Sequence, residues 1–194
     1  MITIGLTGSI GMGKTETSKI FLSYGIPVYD ADKAVHNLYG PNKKGSLAIK
    51  NIFPNCINED GSVNREILSK EVLDNKEKIK SLEQIIHPLV AEDRKIFFYE
   101  NRNAKIIILD VPLLFETGGQ KDVDYIIVVD APDTVQKERV MARPNMTEEK
   151  FHKIISQQIP NHVKKQKADF IIDTSVSINP VSYTHLTLPT TSAV

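Results

Sequence analysis

The sequence predicts an α/β fold of three layers, in which helices cover both faces of a parallel sheet of about five strands. Three observations support this prediction. Short apolar runs rich in β-branched residues recur along the chain, helical patterns lie between them, and a glycine-rich turn directly follows the first run. Such apolar runs are typical of parallel strands, because those strands are buried on both faces of the sheet.

Strands and helices alternate at both ends of the chain, and a long helical stretch interrupts the alternation. Strands are predicted at residues 2–6, 27–29, 105–110, 125–129 and 170–172. Helices of the outer layers are predicted near 15–24, 132–143 and 148–158. Helical patterns at 34–39, 45–52, 65–73, 76–86 and 89–101 are separated by Gly, Pro and Asn residues. This stretch is predicted to form a lobe of its own, with Asn64 as the N-cap of its third helix.

Composition and charge exclude several classes of protein. The 194 residues include 24 Lys and Arg against 24 Asp and Glu, so the net charge gives no general attraction to nucleic acid or an anionic membrane. The single cysteine, Cys56, cannot form an internal disulfide, nor a zinc site by itself. No apolar run approaches the roughly 20 residues of a membrane span, and the N-terminus lacks a signal-peptide pattern. We therefore expect a cytoplasmic protein without nucleic-acid or membrane partners.

The glycine-rich turn carries a complete phosphate-binding motif. The residues Gly8, Ser9, Ile10, Gly11, Met12, Gly13, Lys14 and Thr15 match the pattern G-x-x-x-x-G-K-[ST]. Glycines let successive backbone N–H groups turn toward phosphate oxygens, and the following helix adds the positive end of its dipole. We expect all eight residues to bind ATP, with Lys14 on the β- and γ-phosphates and the Thr15 hydroxyl on Mg²⁺.

The position of the motif indicates the type of protein. It lies between a predicted strand and a predicted helix, which is the context of the P-loop NTPase fold. The sequence has no N-K-x-D motif for reading guanine, and the chain is short for a motor ATPase. With a helical insertion after its second strand, it fits a small-molecule kinase best.

Further short motifs, taken together and in order, resemble those of the dephospho-CoA kinase family. They are Asp30-Ala31-Asp32, Ile86-His87-Pro88-Leu89, Leu109-Asp110-Val111-Pro112-Leu113-Leu114-Phe115-Glu116, the residues Gln136, Arg139, Arg143 and Gln157, and Ala168-Asp169-Phe170-Ile171-Ile172. The resemblance covers residues 1–175. It implies transfer of the ATP γ-phosphate to the ribose 3′-hydroxyl of dephospho-CoA, which gives CoA and ADP in the last step of coenzyme A synthesis. ATP and dephospho-CoA are then the partners, and we expect a monomer.

The same resemblance implies a role for each segment. A P-loop nucleotide-binding core is predicted at 1–31, 104–136 and 168–180, and a helical acceptor lobe that binds CoA at 32–103. Residues 137–167 are predicted to form a lid that closes over ATP. Where family members usually have arginines near the end of the lid, this chain has Lys164 and Lys165, whose role stays open.

Asp32 is the predicted base for the acceptor hydroxyl. It follows the second strand directly, at the sheet edge where α/β folds place their ligands, and a carboxylate can orient and deprotonate a hydroxyl. Alternatively, Asp32 caps the following helix. Asp30 is either part of this site or a support for it.

Asp110 is the predicted Mg²⁺ ligand beside Thr15. It ends an apolar strand, as a Walker B carboxylate does, and a carboxylate in that position otherwise needs another partner. Leu113, in the loop that follows, is assigned to the acceptor pocket by resemblance, although Leu113, Leu114 and Phe115 could chiefly pack.

Four positively charged or titratable residues complete the predicted site. Arg139 and Arg143 are four residues apart, so we expect them to share a helix face and stabilise the transferring phosphoryl group; a solvated basic face is the alternative. With Lys14 and Asp32 they form the predicted catalytic set. By resemblance, Arg65 and His87 meet the acceptor. Arg65 could instead pair with Glu66 or Glu71, and His87 could be structural.

Two interpretations compete with the kinase prediction, and one segment fits none of them. A nucleoside or nucleotide kinase of the same fold would need another acceptor, and a regulatory ATP-binding module would need neither Asp32 nor the arginine pair. Residues 181–194 have no helical period and are rich in Thr, where a covering helix is expected. They are interpreted as a non-native tail, such as translated adapter or cloning read-through, with a genuine extended tail as the alternative.

Overall fold

The computed structural model describes residues 1–73, 75–175 and 186–187. The chain divides into two compact units. The sheet unit consists of Met1–Val28 and Asn103–Val194, and the helical unit of Tyr29–Arg102.

The sheet has the strand order β2-β3-β1-β4-β5-β6. Its strands are β1 (Ile2–Thr7), β2 (Val28–Asp30), β3 (Ile106–Asp110), β4 (Tyr125–Asp130), β5 (Phe170–Asp173) and β6 (Leu186–Thr187). Parallel ladders join β3 to β1, β1 to β4 and β4 to β5. At the β2 edge, the Ile108 N–H donates to the Pro27 carbonyl at 2.9 Å. The predicted α/β fold and its five strands are therefore confirmed.

Successive side chains of β4 show why these strands are apolar throughout. Ile127 and Val129 pack with Leu6 and Ile108 in one buried cluster. Ile126 and Val128 belong to a second cluster, which includes Leu114, Phe115 and Ala168. Because successive residues of a strand point to opposite faces, both faces of the sheet are buried and every position of the strand is apolar.

The helices of the described residues are numbered in chain order. They are α1 (Lys14–Ser23), α2 (Ala31–Leu38), α3 (Lys44–Ile52), α4 (Arg65–Val72), α5 (Lys76–Glu100), α6 (Asp133–Met141), α7 (Glu148–Ser156) and α8 (Asn161–Gln166). The sheet unit contains α1, α6, α7 and α8. The predicted N-cap is confirmed, because the Asn64 side chain accepts a hydrogen bond from the Ile67 N–H at 3.0 Å.

The prediction that Pro88 separates two helices is wrong. Helix α5 continues through it for 25 residues. A proline inside a helix costs about 3 kcal/mol, because it removes a backbone hydrogen bond and crowds the preceding turn. Here the helix packs against α2, α3 and α4, and its residue Ile86 is buried in a cluster with Ile49, Phe53 and Leu68. This packing against three helices offsets the local penalty, so tertiary packing decides the outcome.

The helix predicted at 132–143 is shorter than expected. Helix α6 ends at Met141 with Ala142 as its C-cap, so Arg143 lies beyond the helix and does not share a helical face with Arg139. The helix ends here because Pro144 follows Arg143. A proline disfavours the helical conformation in the residue before it.

The predicted tail at 181–194 lies outside the described residues except for two. The backbone of Leu186–Thr187 pairs antiparallel with β5. None of the described helices is both long enough and apolar enough to span a bilayer.

Candidate active site

The phosphate loop runs from the end of β1 to the start of α1. Gly11 and Gly13 have φ angles of 79° and 89°, in the left-handed region that favours glycine. A Cβ atom on Gly11 would lie 2.6 Å from Val140, and one on Gly13 would lie 2.7 Å from the Thr174 hydroxyl. Both glycines are therefore required by backbone conformation and by the close approach of α6 and of the residue after β5.

Lys14 and Asp110 meet at the edge of the sheet where β1 and β3 end. The Lys14 ammonium lies 2.6 Å from Asp110 Oδ1, and the Ser18 hydroxyl donates to Asp110 Oδ2, also at 2.6 Å. The Asp110 side chain is 4% exposed and that of Lys14 is 17% exposed. Two of the predicted site residues are thus in direct contact, and Ser18, one turn after Lys14, is a member that the sequence did not indicate.

The residues at this edge fit a Mg²⁺ site of the kind that substrate phosphates complete. Asp110 supplies a carboxylate whose oxygens already accept from Lys14 and Ser18, so it would meet the ion through a remaining lone pair or through water. Thr15 is exposed at the first turn of α1. Within the described residues, no group of three or more His, Cys, Asp or Glu residues could hold a metal ion. Mg²⁺ commonly binds one or two carboxylates together with phosphate oxygens and water, so this small set of protein ligands suits it.

The first half of the phosphate loop is held by amide side chains. The Ser9 N–H donates to Asn161 Oδ1 at 3.1 Å, and the Ile10 N–H donates to Gln158 Oε1 at 3.0 Å. On the other side of the same residue, Gln136 Nε2 donates to the Ile10 carbonyl at 2.7 Å. The sequence pattern included Gln157 without assigning it a contact, and in the structure its neighbour Gln158 bonds to the loop.

Asn161 also connects the loop to the end of β4. Its Nδ2 donates to the Val129 carbonyl at 3.2 Å and to Asp130 Oδ1 at 2.7 Å. The other carboxylate oxygen of Asp130 accepts from Lys165 at 2.6 Å. Lys165, whose role the sequence left open, therefore neutralises a strand-end carboxylate in this structure.

Arg139 contacts the residue that follows β5. Its guanidinium donates to the Thr174 hydroxyl at 3.1 Å and to the Thr174 carbonyl at 2.6 Å. The Thr174 hydroxyl in turn lies 2.8 Å from the Met12 carbonyl. Hydrogen bonds through Thr174 thus connect Arg139 to the phosphate loop, and the sequence did not indicate Thr174. Arg143 is exposed after the end of α6.

Lys164 forms a buried ion pair with Glu116. Its side chain is fully buried, and its ammonium lies 2.8 Å from Glu116 Oε1. Glu116 Oε1 also accepts from the Ile159 N–H at 2.8 Å, whereas Glu116 Oε2 is buried and has no hydrogen-bond partner among the described residues. The pair joins α8 to the loop after β3, in which Leu113 is 39% exposed and Leu114 and Phe115 are buried.

A cavity of about 780 Å³ lies beside the phosphate loop. Ser9, Met12, Gln136, Phe151, Gln158 and Asn161 are among its lining residues. The volume lies within the range of small-molecule sites.

In the helical unit, Asp30 rather than Asp32 caps α2. The Asp30 side chain accepts from the Lys33 N–H at 2.9 Å, so Asp30 is the N-cap and the capping interpretation of Asp32 is wrong. Asp32 lies in the first turn of α2 and is exposed. Its negative charge near the positive end of the helix is favourable.

Arg65 lies beside the face of α2 that carries both His36 and Asp32. Arg65 Nη1 lies 3.4 Å from His36 Nδ1, and His36 is four residues after Asp32 on α2. Glu71, an alternative partner for Arg65, pairs with Lys78. Burial raises the pKa of the Tyr39 hydroxyl, and the charge of Arg65 opposes this effect. His87 is exposed in the middle of α5, one residue before Pro88.

Comparison with known proteins identifies the family. The family model described as dephospho-CoA kinase matches residues 2–179. The chain belongs to the dephospho-CoA kinase family. Its relatives of that name include a Bradyrhizobium diazoefficiens protein, 48% identical over 183 residues, which are 93% of this chain and 90% of the relative. A Brucella melitensis relative is 49% identical over 181 residues, which are 92% of this chain and 89% of the relative.

Solved structures agree with this membership in the dephospho-CoA kinase family. A dephospho-CoA kinase from Campylobacter jejuni is similar at a TM-score of 0.61 and 27% identity, over 90% of this chain and 89% of that one. A Thermus thermophilus protein is similar at a TM-score of 0.79 and 29% identity, over 91% of this chain and 90% of that one. The predicted family and the kinase class are therefore confirmed.

Proposed function

We propose that this protein transfers the γ-phosphate of ATP to the ribose 3′-hydroxyl of dephospho-CoA, giving CoA and ADP in the last step of coenzyme A synthesis. The observation that carries the proposal is the pairing of Lys14 with Asp110 at the end of a complete phosphate loop, in a chain matched over residues 2–179 by the dephospho-CoA kinase family. This arrangement places a lysine and the N-terminus of α1 at one edge of the sheet, where ATP phosphates would bind.

The nucleotide side of the reaction belongs to the sheet unit. Backbone N–H groups at the start of α1 and the ammonium of Lys14 bind the phosphates, and Asp110 keeps that ammonium at the end of the loop. Thr15 and Asp110 are the residues that would hold Mg²⁺, which when bound neutralises charge on the phosphate oxygens.

The acceptor side of the reaction is assigned to individual residues by resemblance to the dephospho-CoA kinase family. Asp32 accepts the proton of the 3′-hydroxyl while the oxygen of that hydroxyl forms a bond to the γ-phosphorus of ATP. The bond between the γ-phosphorus and the oxygen that bridges it to the β-phosphate breaks, and ADP leaves. Arg65, His87 and Leu113 bind dephospho-CoA. Arg143 and Arg139 stabilise the charge on the transferring group, because guanidinium is planar and permanently charged.

The segments have corresponding roles in this proposal. Residues 1–31, 104–136 and 168–180 form the nucleotide-binding core, 32–103 the acceptor lobe and 137–167 the lid. We also expect a cytoplasmic monomer that acts on ATP and dephospho-CoA without nucleic-acid or membrane partners. Light scattering coupled to gel filtration tests the monomer.

An acceptor panel tests the proposed reaction. Purified protein is incubated with ATP and Mg²⁺ together with dephospho-CoA, AMP or adenosine, and products are identified by mass. Dephospho-CoA should be phosphorylated with the highest kcat/KM. Faster transfer to AMP or adenosine would indicate a nucleotide or nucleoside kinase, and tight ATP binding without any transfer would indicate a regulatory module.

A further inference from the structure

The backbone of Ser9 and Ile10 is held from three directions by carboxamide side chains. Gln158 accepts from the Ile10 N–H, Gln136 donates to the Ile10 carbonyl, and Asn161 accepts from the Ser9 N–H. We call these three residues, Gln136, Gln158 and Asn161, the carboxamide clamp. They come from α6, from the turn after α7 and from the first position of α8, so tertiary structure alone brings them together.

The clamped N–H groups differ from those at the start of the helix. Lys14 and Thr15 begin α1, where N–H groups have no carbonyl in a preceding turn and are suited to phosphate oxygens. Ser9 and Ile10 lie earlier in the chain, in the phosphate loop before Gly11. The loop is therefore divided into a half that side chains fix and a half that presents N–H groups to a ligand.

The clamp is built into its surroundings rather than resting on the loop. Ser9 is 7% exposed and Gln136 is 6% exposed. Asn161 Nδ2 is bonded to both Val129 and Asp130 at the end of β4 while its Oδ1 holds Ser9. A side chain that merely stood in for a missing phosphate would not need these further bonds to the sheet.

We propose that Gln136, Gln158 and Asn161 are positioning residues that preorganise the phosphate loop, and that Gln158 links the segment between α7 and α8 to nucleotide binding. This proposal rests on the proposed phosphotransfer function. Ordering the Ser9–Ile10 backbone before ATP arrives removes an entropic cost from binding and holds the loop still during transfer.

The substitution Gln158→Met tests the clamp, because it keeps the length of the side chain and removes the acceptor. Gln157→Met is the matched control, since Gln157 is exposed and adjacent. Two quantities are measured: hydrogen exchange of the peptide containing Ser9 and Ile10 without nucleotide, and ADP affinity by titration calorimetry. ADP binding does not depend on the acceptor, so it decides the clamp even if dephospho-CoA proves not to be the substrate.

Gln158→Met should speed exchange in the loop peptide and weaken ADP binding about tenfold, the cost expected when the partly buried Ile10 N–H loses its partner. The KM for ATP should rise while the KM for dephospho-CoA stays unchanged, and Gln157→Met should match the wild type. Unchanged exchange and affinity would overturn the proposal. So would tighter ADP binding, because the side chain would then be a competitor of phosphate. If Gln158→Met does not fold, Gln158→Asn, which is too short to reach Ile10, replaces it with the same expectations.

Discussion

The Lys14 ammonium and the Asp110 carboxylate lie 2.6 Å apart. Lys14 begins α1 directly after the phosphate loop, and Asp110 ends β3, the parallel neighbour of β1. The contact is largely buried, and Ser18 occupies the second carboxylate oxygen. When ATP binds, its phosphates offer Lys14 a second anionic partner at the same edge of the sheet. The contact therefore explains how the lysine stays at the loop in the absence of nucleotide.

Lys14→Ala should lower kcat by at least about a hundredfold, because it removes a preorganised charge from the transferring phosphates. Steady-state kinetics with ATP and dephospho-CoA measures the loss, and far-UV circular dichroism should remain that of the wild type. Lys19→Ala is the control on the same helix, since Lys19 is exposed and pairs with Glu16. A Lys14→Ala enzyme that kept most of its activity would refute the phosphate-loop assignment.

Asp32→Asn should lower kcat sharply and leave the affinity for ATP unchanged, because the amide keeps the shape of the side chain but cannot accept the hydroxyl proton. Asp30→Asn is the matched control, since Asn caps a helix as well as Asp does and α2 should keep its cap. Kinetics and ATP titration of both variants separate the outcomes. Weakened ATP binding with normal turnover of bound substrate would remove Asp32 from the chemistry.

Arg143→Lys should lower kcat and kcat/KM together, the result expected when an interaction is made mainly in the transition state. A lysine retains the charge but lacks the planar fork of donors. The change is tested separately in Arg139, which already donates twice to Thr174. Arg102→Lys, at an exposed position in the helical unit, is the control. Normal kinetics in both Arg143→Lys and Arg139→Lys would leave these arginines without a role in transfer.

Lys164→Met should lower the free energy of unfolding by about 3–5 kcal/mol, because Glu116 is left as a buried charge without its partner. Adding Glu116→Gln should recover most of that loss, since the amide stays neutral and can still accept from the Ile159 N–H. Urea denaturation measures both variants. Equal stability of Lys164→Met and the wild type would show that the ion pair contributes nothing.

Local patterns in the sequence predicted the strands and the phosphate loop because those features are determined locally. The apolar, β-branched residues of β3 indicate a buried strand without reference to distant parts of the chain. The glycines at positions 11 and 13 are needed for the backbone conformation of the loop itself. The same holds for Asn64, whose side chain bonds three residues further along the chain.

Features that depend on tertiary packing were not predictable in the same way. Pro88 should end a helix by local rules, yet α5 continues through it because the helix packs against α2, α3 and α4. Gln157 belonged to the family pattern without any contact assigned to it, and only the folded structure shows that its neighbour Gln158 bonds to the phosphate loop. The partners of Lys164 and Arg139 are likewise distant in sequence, so no spacing could indicate them.

The most direct test of the proposed reaction follows the γ-phosphate of ATP to its destination. The enzyme is mixed with γ-labelled ATP, Mg²⁺ and dephospho-CoA, and the position of the label in the product is determined by mass spectrometry and phosphorus NMR. The label should appear on the ribose 3′-oxygen of CoA, with one ADP formed for each CoA. Label found only in inorganic phosphate, or on another hydroxyl, would contradict the assignment of this chain as the kinase that completes coenzyme A.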